Sequence, residues 1–347
     1  MTMFQKSVIN KHLKNLDQIK IDEAYKKFKQ NYNPKKIKEI KSLKEEEYQD
    51  GFLREIFVDV LGYILRPDDN FNLWREQKNS TDSKKVDGAI KKDGEIIAVI
   101  ELKSTKTKDL TKVTQQAFSY KISHPNCKYV VTSNFQKLRF YIDYTNEFEE
   151  FDLFYLTKER FNILYLLLCK ESIFNDLPKK LKEETQFHEK EVSKELYKDY
   201  SDFKNKLYGN LVKNHPKQDK LLLFKKSQKL LDRFLFILFA EDSGLLPPNS
   251  IARVVKRYEV LKEEDAYKKI YKIFQQYFGY MNIGRKGKSR ADDIPAYNGG
   301  LFYEDELLNS FNIDDEILID DLKKLSEYDF NSEVDVNILG HIFEHSL

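Results

Sequence analysis

The spacing of apolar residues changes character twice along the chain. Residues 1–40 set scattered apolar positions, among them Leu13, Ile19, Ala24 and Phe28, in a charged background, which predicts one or two amphipathic helices. Pro34 separates this arm from the next segment. Over residues 43–64, Phe52, Ile56, Phe57, Val60 and Leu61 recur at helical spacing, and Gly62 suits the end of that helix. Five short runs rich in β-formers come next: FNLWREQ (71–77), VDGAI (86–90), IIAVIEL (96–102), YVVTS (129–133) and LRFYI (138–142). Lys92-Asp93-Gly94 lies between the second and third runs as a hairpin turn signal. Residues 112–122, between the third and fourth, read as a helix. Helix, three strands, helix, two strands describes an α/β or α+β fold, a mixed sheet flanked by helices.

From about residue 156 the strand signals stop. Residues 185–213, 220–244, 250–281 and 304–347 are helical in pattern, and 289–300, with two glycines and one proline, reads as an exposed loop. The expected division is an N-terminal helical arm (1–42), a mixed-sheet domain (43–156) and a mainly helical domain (157–347). Neither a fixed-period repeat nor a low-complexity tail interrupts this plan.

Composition narrows the class. The 347 residues suffice for two domains, and a hydrophobic content of 41% supports real cores. Charged residues make up 33% with a net charge of only +2, which excludes a uniformly basic protein and leaves room for local basic surfaces. Cys127 and Cys169 form neither a disulfide framework nor a zinc cluster, so a reducing compartment is expected. The most apolar stretch, 230–240, is interrupted by Asp232 and Arg233, and the N-terminus lacks the apolar core of a signal peptide. The expectation is a cytoplasmic protein with no membrane partner.

The chemistry concentrates in the strands. Asp87 stands near the head of one strand of the hairpin, and Glu101-Leu102-Lys103 closes the next. Residues two apart on a strand share a face, so Glu101 and Lys103 project together while Leu102 turns inward. Two carboxylates from adjacent strands, with the Leu102 carbonyl, form a hard-oxygen set suited to Mg²⁺, and Lys103 could orient or help deprotonate an attacking water. Acidic-x-Lys alone is a weak signal: it recurs at Glu39, Asp82 and Asp321. Only Glu101 ends a β-branched strand with an acidic residue heading its neighbour. The plain alternative is an ion pair at a strand end.

Asp87 with Glu101-x-Lys103, after a helix ending LGY, resembles the PD-(D/E)xK nuclease superfamily, with Val86 in place of the usual Pro. The resemblance implies a restriction-endonuclease-like fold, Mg²⁺ with Mn²⁺ as a substitute, and double-stranded DNA as substrate. Gln116-Ala-Phe-Ser-Tyr120 matches the QxxxY element of such nucleases, which implies support of the site or DNA contact by Gln116 and Tyr120. Glu47 resembles the acidic residue that these enzymes send from the preceding helix, with Glu45, Glu46 and Glu55 as competitors. Segments 230–248, 297–302 and 336–347 are similar to the helical connector of type IIG restriction–modification enzymes, where a nuclease precedes an adenine-N6 methyltransferase and a target-recognition domain. The chain shows no Asn-Pro-Pro-Tyr/Phe tetrapeptide and no glycine-rich strand end for S-adenosylmethionine. The resemblance therefore implies a nuclease portion that binds no S-adenosylmethionine, truncated before its methyltransferase and target-recognition partners, and dimerising transiently on DNA. The alternatives are a free-standing phage-defence nuclease of the same superfamily and an inactive DNA-binding or assembly module.

Other motifs weigh less. His341-Ile-Phe-Glu-His345 has the form of an inverted zinc-peptidase motif without a downstream third ligand. Lys106 and Lys108, directly after the site strand, and Arg285, Lys286, Lys288 and Arg290, in a compact basic run, are candidate contacts to a DNA backbone. The alternative for the basic run is a solvated, mobile loop. Glu241-Asp242 reads as the close of an apolar helix rather than as a catalytic pair.

Overall fold

A computed structural model describes residues 3–78, 85–289, 292–297, 299–331, 333–334 and 340. Arg290 and the segment 336–347, apart from Gly340, therefore lie outside the described residues, as do Asp82 and the His341–His345 motif. By packing, the chain divides into two compact units, residues 1–185 and 186–347.

The first unit opens with three helices, α1 (Lys6–Leu13), α2 (Gln18–Asn31) and α3 (Pro34–Ser42). Pro34 does not break the arm from the rest. It is the first residue of α3, where its missing N–H and fixed φ cost nothing, and the Asn33 side chain caps the turn by accepting from Lys35 and Lys36 N–H at 3.0 Å each. Next, α4 (Glu45–Phe52) passes into a wider π-type turn over Leu53–Val58. That turn is closed by the Asp59 N–H donating to the Arg54 carbonyl at 2.9 Å, and it keeps Leu53, Ile56 and Phe57 buried.

Among the described residues the sheet has six strands in sequential order: β1 (Leu73–Lys78), β2 (Lys85–Lys92), β3 (Glu95–Leu102), β4 (Tyr129–Ser133), β5 (Lys137–Ile142) and β6 (Glu149–Asp152). Only β3 and β4 run parallel, and α5 (Thr111–Lys121) makes that crossover. The β2–β3 hairpin turns at Asp93 and Gly94, both at positive φ (51° and 86°), as a two-residue primed turn requires. β6 has no clear signal in the sequence because FEEFD carries too few β-formers over too short a run.

Side-chain alternation divides the core. Ala98, Ile100, Leu102, Tyr129, Val131 and Phe140 face the main cluster, which also holds Phe28, Phe52, Phe57 and Phe161. Val99, Val130 and Tyr141, the intervening positions, face Ala117 and Tyr120 of α5. The main cluster takes in residues on both sides of the expected boundaries at 42 and 156, from Ile21, Phe28 and Ile40 to Phe161 and Leu164 of α6 (Lys158–Leu168) and Ile173 of the short α7 (Lys170–Phe174).

The second unit is helical. The division between units falls inside α8 (Leu177–Asn214), and α9 (Lys220–Asp242), α10 (Ser250–Glu263), α11 (Ile270–Ile283), α12 (Glu306–Ser310) and α13 (Asp315–Leu325) succeed it. Arg233 of α9 is 2% exposed. Its guanidinium donates to the Leu301 and Tyr303 carbonyls at 2.9 Å each and lies 5.1 Å from the Phe278 ring centre. Phe236 meets Tyr297 at 4.3 Å between ring centres. Two of the three segments that resemble a connector thus fold against each other. No helix of the described residues is long and apolar enough to cross a membrane.

A side chain that is 2% exposed in the arm gives a test of how the first unit is built. Phe28→Ala should cost about 3–5 kcal/mol in urea unfolding followed by fluorescence of Trp74, which is the one tryptophan of the chain and lies in this unit. A loss below about 1 kcal/mol would mean that the arm is an appendage and not part of the core.

Candidate active site

Asp87 and Glu101 come together because of strand register. Gly88 pairs with Ile100 and Ala89 with Val99 across the antiparallel β2–β3 ladder, so one further step sets Asp87 beside Glu101. Gly88 permits this approach: a Cβ there would stand 3.2 Å from Ile100 Cδ1 and 3.3 Å from Leu53 Cδ2. Asp87 is then held at both oxygens. Oδ2 accepts the Leu102 N–H at 2.6 Å, and Oδ1 accepts from Gln49 Nε2 at 2.6 Å.

Glu101 is 1% exposed. Its Oε1 accepts from Lys103 Nζ at 3.1 Å, while Oε2 is buried with no hydrogen-bond partner among the described residues. Lys103 Nζ also donates to Glu45 Oε1 at 3.0 Å and to the Leu102 carbonyl at 2.8 Å. Gln49 and Glu45 stand one turn apart on α4, so a single helix face supplies both outside contacts.

The charges follow from this arrangement. Burial, then the nearby charge of Asp87, pushes the Glu101 carboxyl up to about 7 from an ordinary 4.5, with Lys103 only partly opposing it. Asp87 is raised by burial against the pull of the Leu102 N–H and Lys103. Burial pulls Lys103 down, but the hydrogen bond to Glu45 and the charge of Glu101 outweigh it and hold the amine above the usual lysine range. At neutral pH Lys103 is an ammonium ion. It can orient a water or a phosphate oxygen and stabilise negative charge, but it holds no free lone pair to take a proton.

Not every expected residue arrives here. Glu47 is exposed and accepts its own helix's Lys44 N–H at 2.6 Å, so it caps α4. Glu45, two residues earlier, is the carboxylate that reaches Lys103. Gln116 points to solvent from α5, and Tyr120 is sunk beside Val99 and Val130 with its ring 4.9 Å from that of His124. Gln49 was missed by sequence reasoning. The one available signal was its four-residue spacing from Glu45, one turn along the same helix. Lys106 and Lys108 are exposed on the loop after β3. That loop is tethered by Asn134 Nδ2 donating to the Thr107 carbonyl at 2.8 Å and Thr105 Oγ1 to the Lys41 carbonyl at 3.3 Å. Arg285, Lys286 and Lys288 are exposed in the second unit.

Among the described residues no group of three or more His, Cys, Asp or Glu side chains is gathered in the way a metal ion would need. The Asp87 and Glu101 carboxylates with the Leu102 carbonyl remain a hard-oxygen donor set, and the unpartnered Glu101 Oε2 is the kind of buried acceptor that a cation would satisfy.

Residues 225–302 match the family described as MmeI, helicase spacer domain. The chain is also 31% identical over 155 residues to a protein of Methanocaldococcus jannaschii provisionally named a type II restriction enzyme and methyltransferase. That similarity covers 39% of this chain and 13% of the relative, so the chain spans a small part of the relative's length. No solved structure matches.

The raised carboxyl has a stability consequence whose sign can be stated. Glu101 binds its proton more tightly in the folded chain than in the unfolded one, so its contribution is favourable below about 4.5 and is lost as pH rises through about 7. In EDTA near pH 8, Glu101→Gln should therefore be more stable than the parent by roughly 1–3 kcal/mol, read by Trp74 fluorescence in urea. The difference should vanish toward about pH 4.5, where the parent carboxyl is itself neutral. A variant less stable than the parent near pH 8 contradicts the burial argument.

Proposed function

We propose that this chain is a Mg²⁺-dependent DNA endonuclease that hydrolyses phosphodiester bonds, the cutting portion of a type IIG restriction–modification enzyme. The observation that carries the reading is Glu101: a carboxylate 1% exposed, with one oxygen unpartnered, beside Asp87 and a lysine two residues on. A group buried at this cost without full hydrogen bonding belongs at a reacting centre more than in a frame. Similarity to a relative named as a restriction enzyme and methyltransferase supports DNA as the substrate, as does the match of 225–302 to a spacer family.

Asp87, Glu101 and the Leu102 carbonyl are the groups that would hold the metal. When bound it would supply an acidified water and charge stabilisation at the phosphate. The chain's own residues do the rest. The Leu102 N–H and Gln49 fix both oxygens of Asp87, and each oxygen keeps a further lone pair. Lys103, cationic and held between Glu45 and Glu101, places an ammonium where negative charge builds on a phosphate oxygen. Glu45 steers that ammonium and keeps it protonated.

Cleavage of supercoiled plasmid in Mg²⁺ or Mn²⁺ tests this, on the full chain and on the chain joined to methyltransferase and target-recognition domains. Glu101→Ala and Lys103→Ala should each lower the rate by about a hundredfold or more with the fold retained. Glu45→Ala should reduce cutting, whereas Glu47→Ala should cost only a helix cap, about 1 kcal/mol, and leave the rate unchanged. Parental cutting by both Glu101→Ala and Lys103→Ala refutes the site. An equal effect at Glu45 and Glu47 refutes the role given to α4.

A further inference from the structure

The second unit carries a cleft that the cutting chemistry does not use. It has a volume of about 330 Å³ and is walled by α10, α11 and the segment after α11. Arg253 and Arg257, one turn apart on α10, supply two cations, and Arg285 and Lys288 supply two more from the facing segment. Asp292 is the single acidic residue of its lining. It pairs with Arg253 at 3.2 Å. Arg257, Arg285 and Lys288 are exposed and have no carboxylate within ion-pair distance among the described residues. Three cations without counter-charges converge on a floor of buried Val254, Ile273 and Ile294.

The basic run is fixed rather than loose where it is described. Arg285 and Ile294 exchange backbone hydrogen bonds at 2.8 and 2.9 Å. The Gly287 N–H donates to Asp293 Oδ1 at 2.8 Å, and Ser289 Oγ to Asp292 Oδ2 at 2.7 Å. Gly287 is required there, since a Cβ would fall 2.6 Å from the Asp292 backbone carbonyl. Arg285 is further held with its guanidinium 4.5 Å from the Tyr280 ring centre. Four long cationic side chains around one concavity repel one another, and Asp292 is the one acidic residue among the lining residues to offset them.

We infer that this cleft binds the phosphate backbone of duplex DNA, as a sequence-independent anchor separate from the Asp87–Glu101 centre. Arginine forks suit phosphate oxygens, which give bidentate acceptors, and the lining has no set of aligned amides for reading base edges. The identity of the polyanion rests on the reading of the chain as a DNA-cutting protein. A free nucleoside triphosphate has the same chemistry and is the other source of phosphate.

The experiment measures binding of two unrelated labelled duplexes by fluorescence anisotropy, in EDTA and over a range of salt, so that cleavage plays no part. The Arg257→Ala, Lys288→Ala double variant should weaken both duplexes alike, by about tenfold or more at moderate salt, and lower the log–log salt slope by about two. Lys217→Ala with Lys262→Ala, which removes the same charge from exposed positions outside the cleft, should leave affinity and slope within about twofold of the parent. Equal weakening by both pairs means diffuse attraction and overturns the cleft. So does ATP binding that is lost in the cleft variant while duplex binding is kept, which would make this a small-anion site. DNA bound through the cleft but never cut leaves the anchor standing and removes the nuclease reading. Normal cutting and binding by the cleft variant does the reverse.

Discussion

Two carboxylates are held side by side at the end of a hydrophobic sheet, and one ammonium is shared between them and a third. Asp87 and Glu101 both lose water on burial, and Glu101 also meets the charge of Asp87, which is why both resist ionisation. Each nearby contact answers that cost. The Leu102 N–H is free for Asp87 because β3 ends there. Gln49 and Glu45 come from α4, which Tyr48 and Phe52 fasten in the main core. The arm helices complete that core, so the position of Gln49 depends on residues as distant in sequence as Phe28 and Phe161.

Buried charge alone does not mark a site, and the second unit shows the distinction. Arg233 is as deeply buried as Glu101, yet its Nε and Nη2 reach two carbonyls and its plane packs on rings. It ties α9 to the 301–303 turn. Glu241 is also pushed up to about 7 by burial, against the lowering pull of the Ser250 N–H, yet it accepts that N–H at 2.5 Å and so joins α9 to α10. Glu241 too has a carboxylate neighbour, Asp242, and a nearby cation, Arg253, so what separates Glu101 is that its Oε2 is buried without a hydrogen-bond partner among the described residues.

The two units answer electrostatics in opposite ways. The first gathers acids and shields them with a single lysine; the second gathers arginines around an open concavity with one aspartate. A net charge of +2 over 347 residues hides both. Bulk charge excludes a uniformly basic protein but says nothing of local fields, which depend on which residues the helices bring together.

Local pattern was enough for much of the fold. Strand periodicity located β1 to β5, Asp93-Gly94 located the hairpin, and the parity of Glu101 and Lys103 around Leu102 set those two side chains together, because a strand alternates regardless of its surroundings. The helical second half was legible for the same reason, though the 250–281 stretch is two helices, α10 and α11, and not one run. Packing decided what period cannot express. Which glutamate of Glu45, Glu46 and Glu47 meets Lys103 depends on how α4 rotates onto the core: the third is used up as a cap, and the first faces β3. Gln49 was invisible because nothing local distinguishes a site amide from a surface one. Gln116 and Tyr120 share a helix with the expected spacing, yet the turn of α5 on the sheet sends one to solvent and the other into the apolar layer. Arg257 and Lys288 are thirty-one positions apart and meet only because the chain reverses after α11. Periodicity fixes which face a residue is on; only the tertiary fold fixes what that face meets.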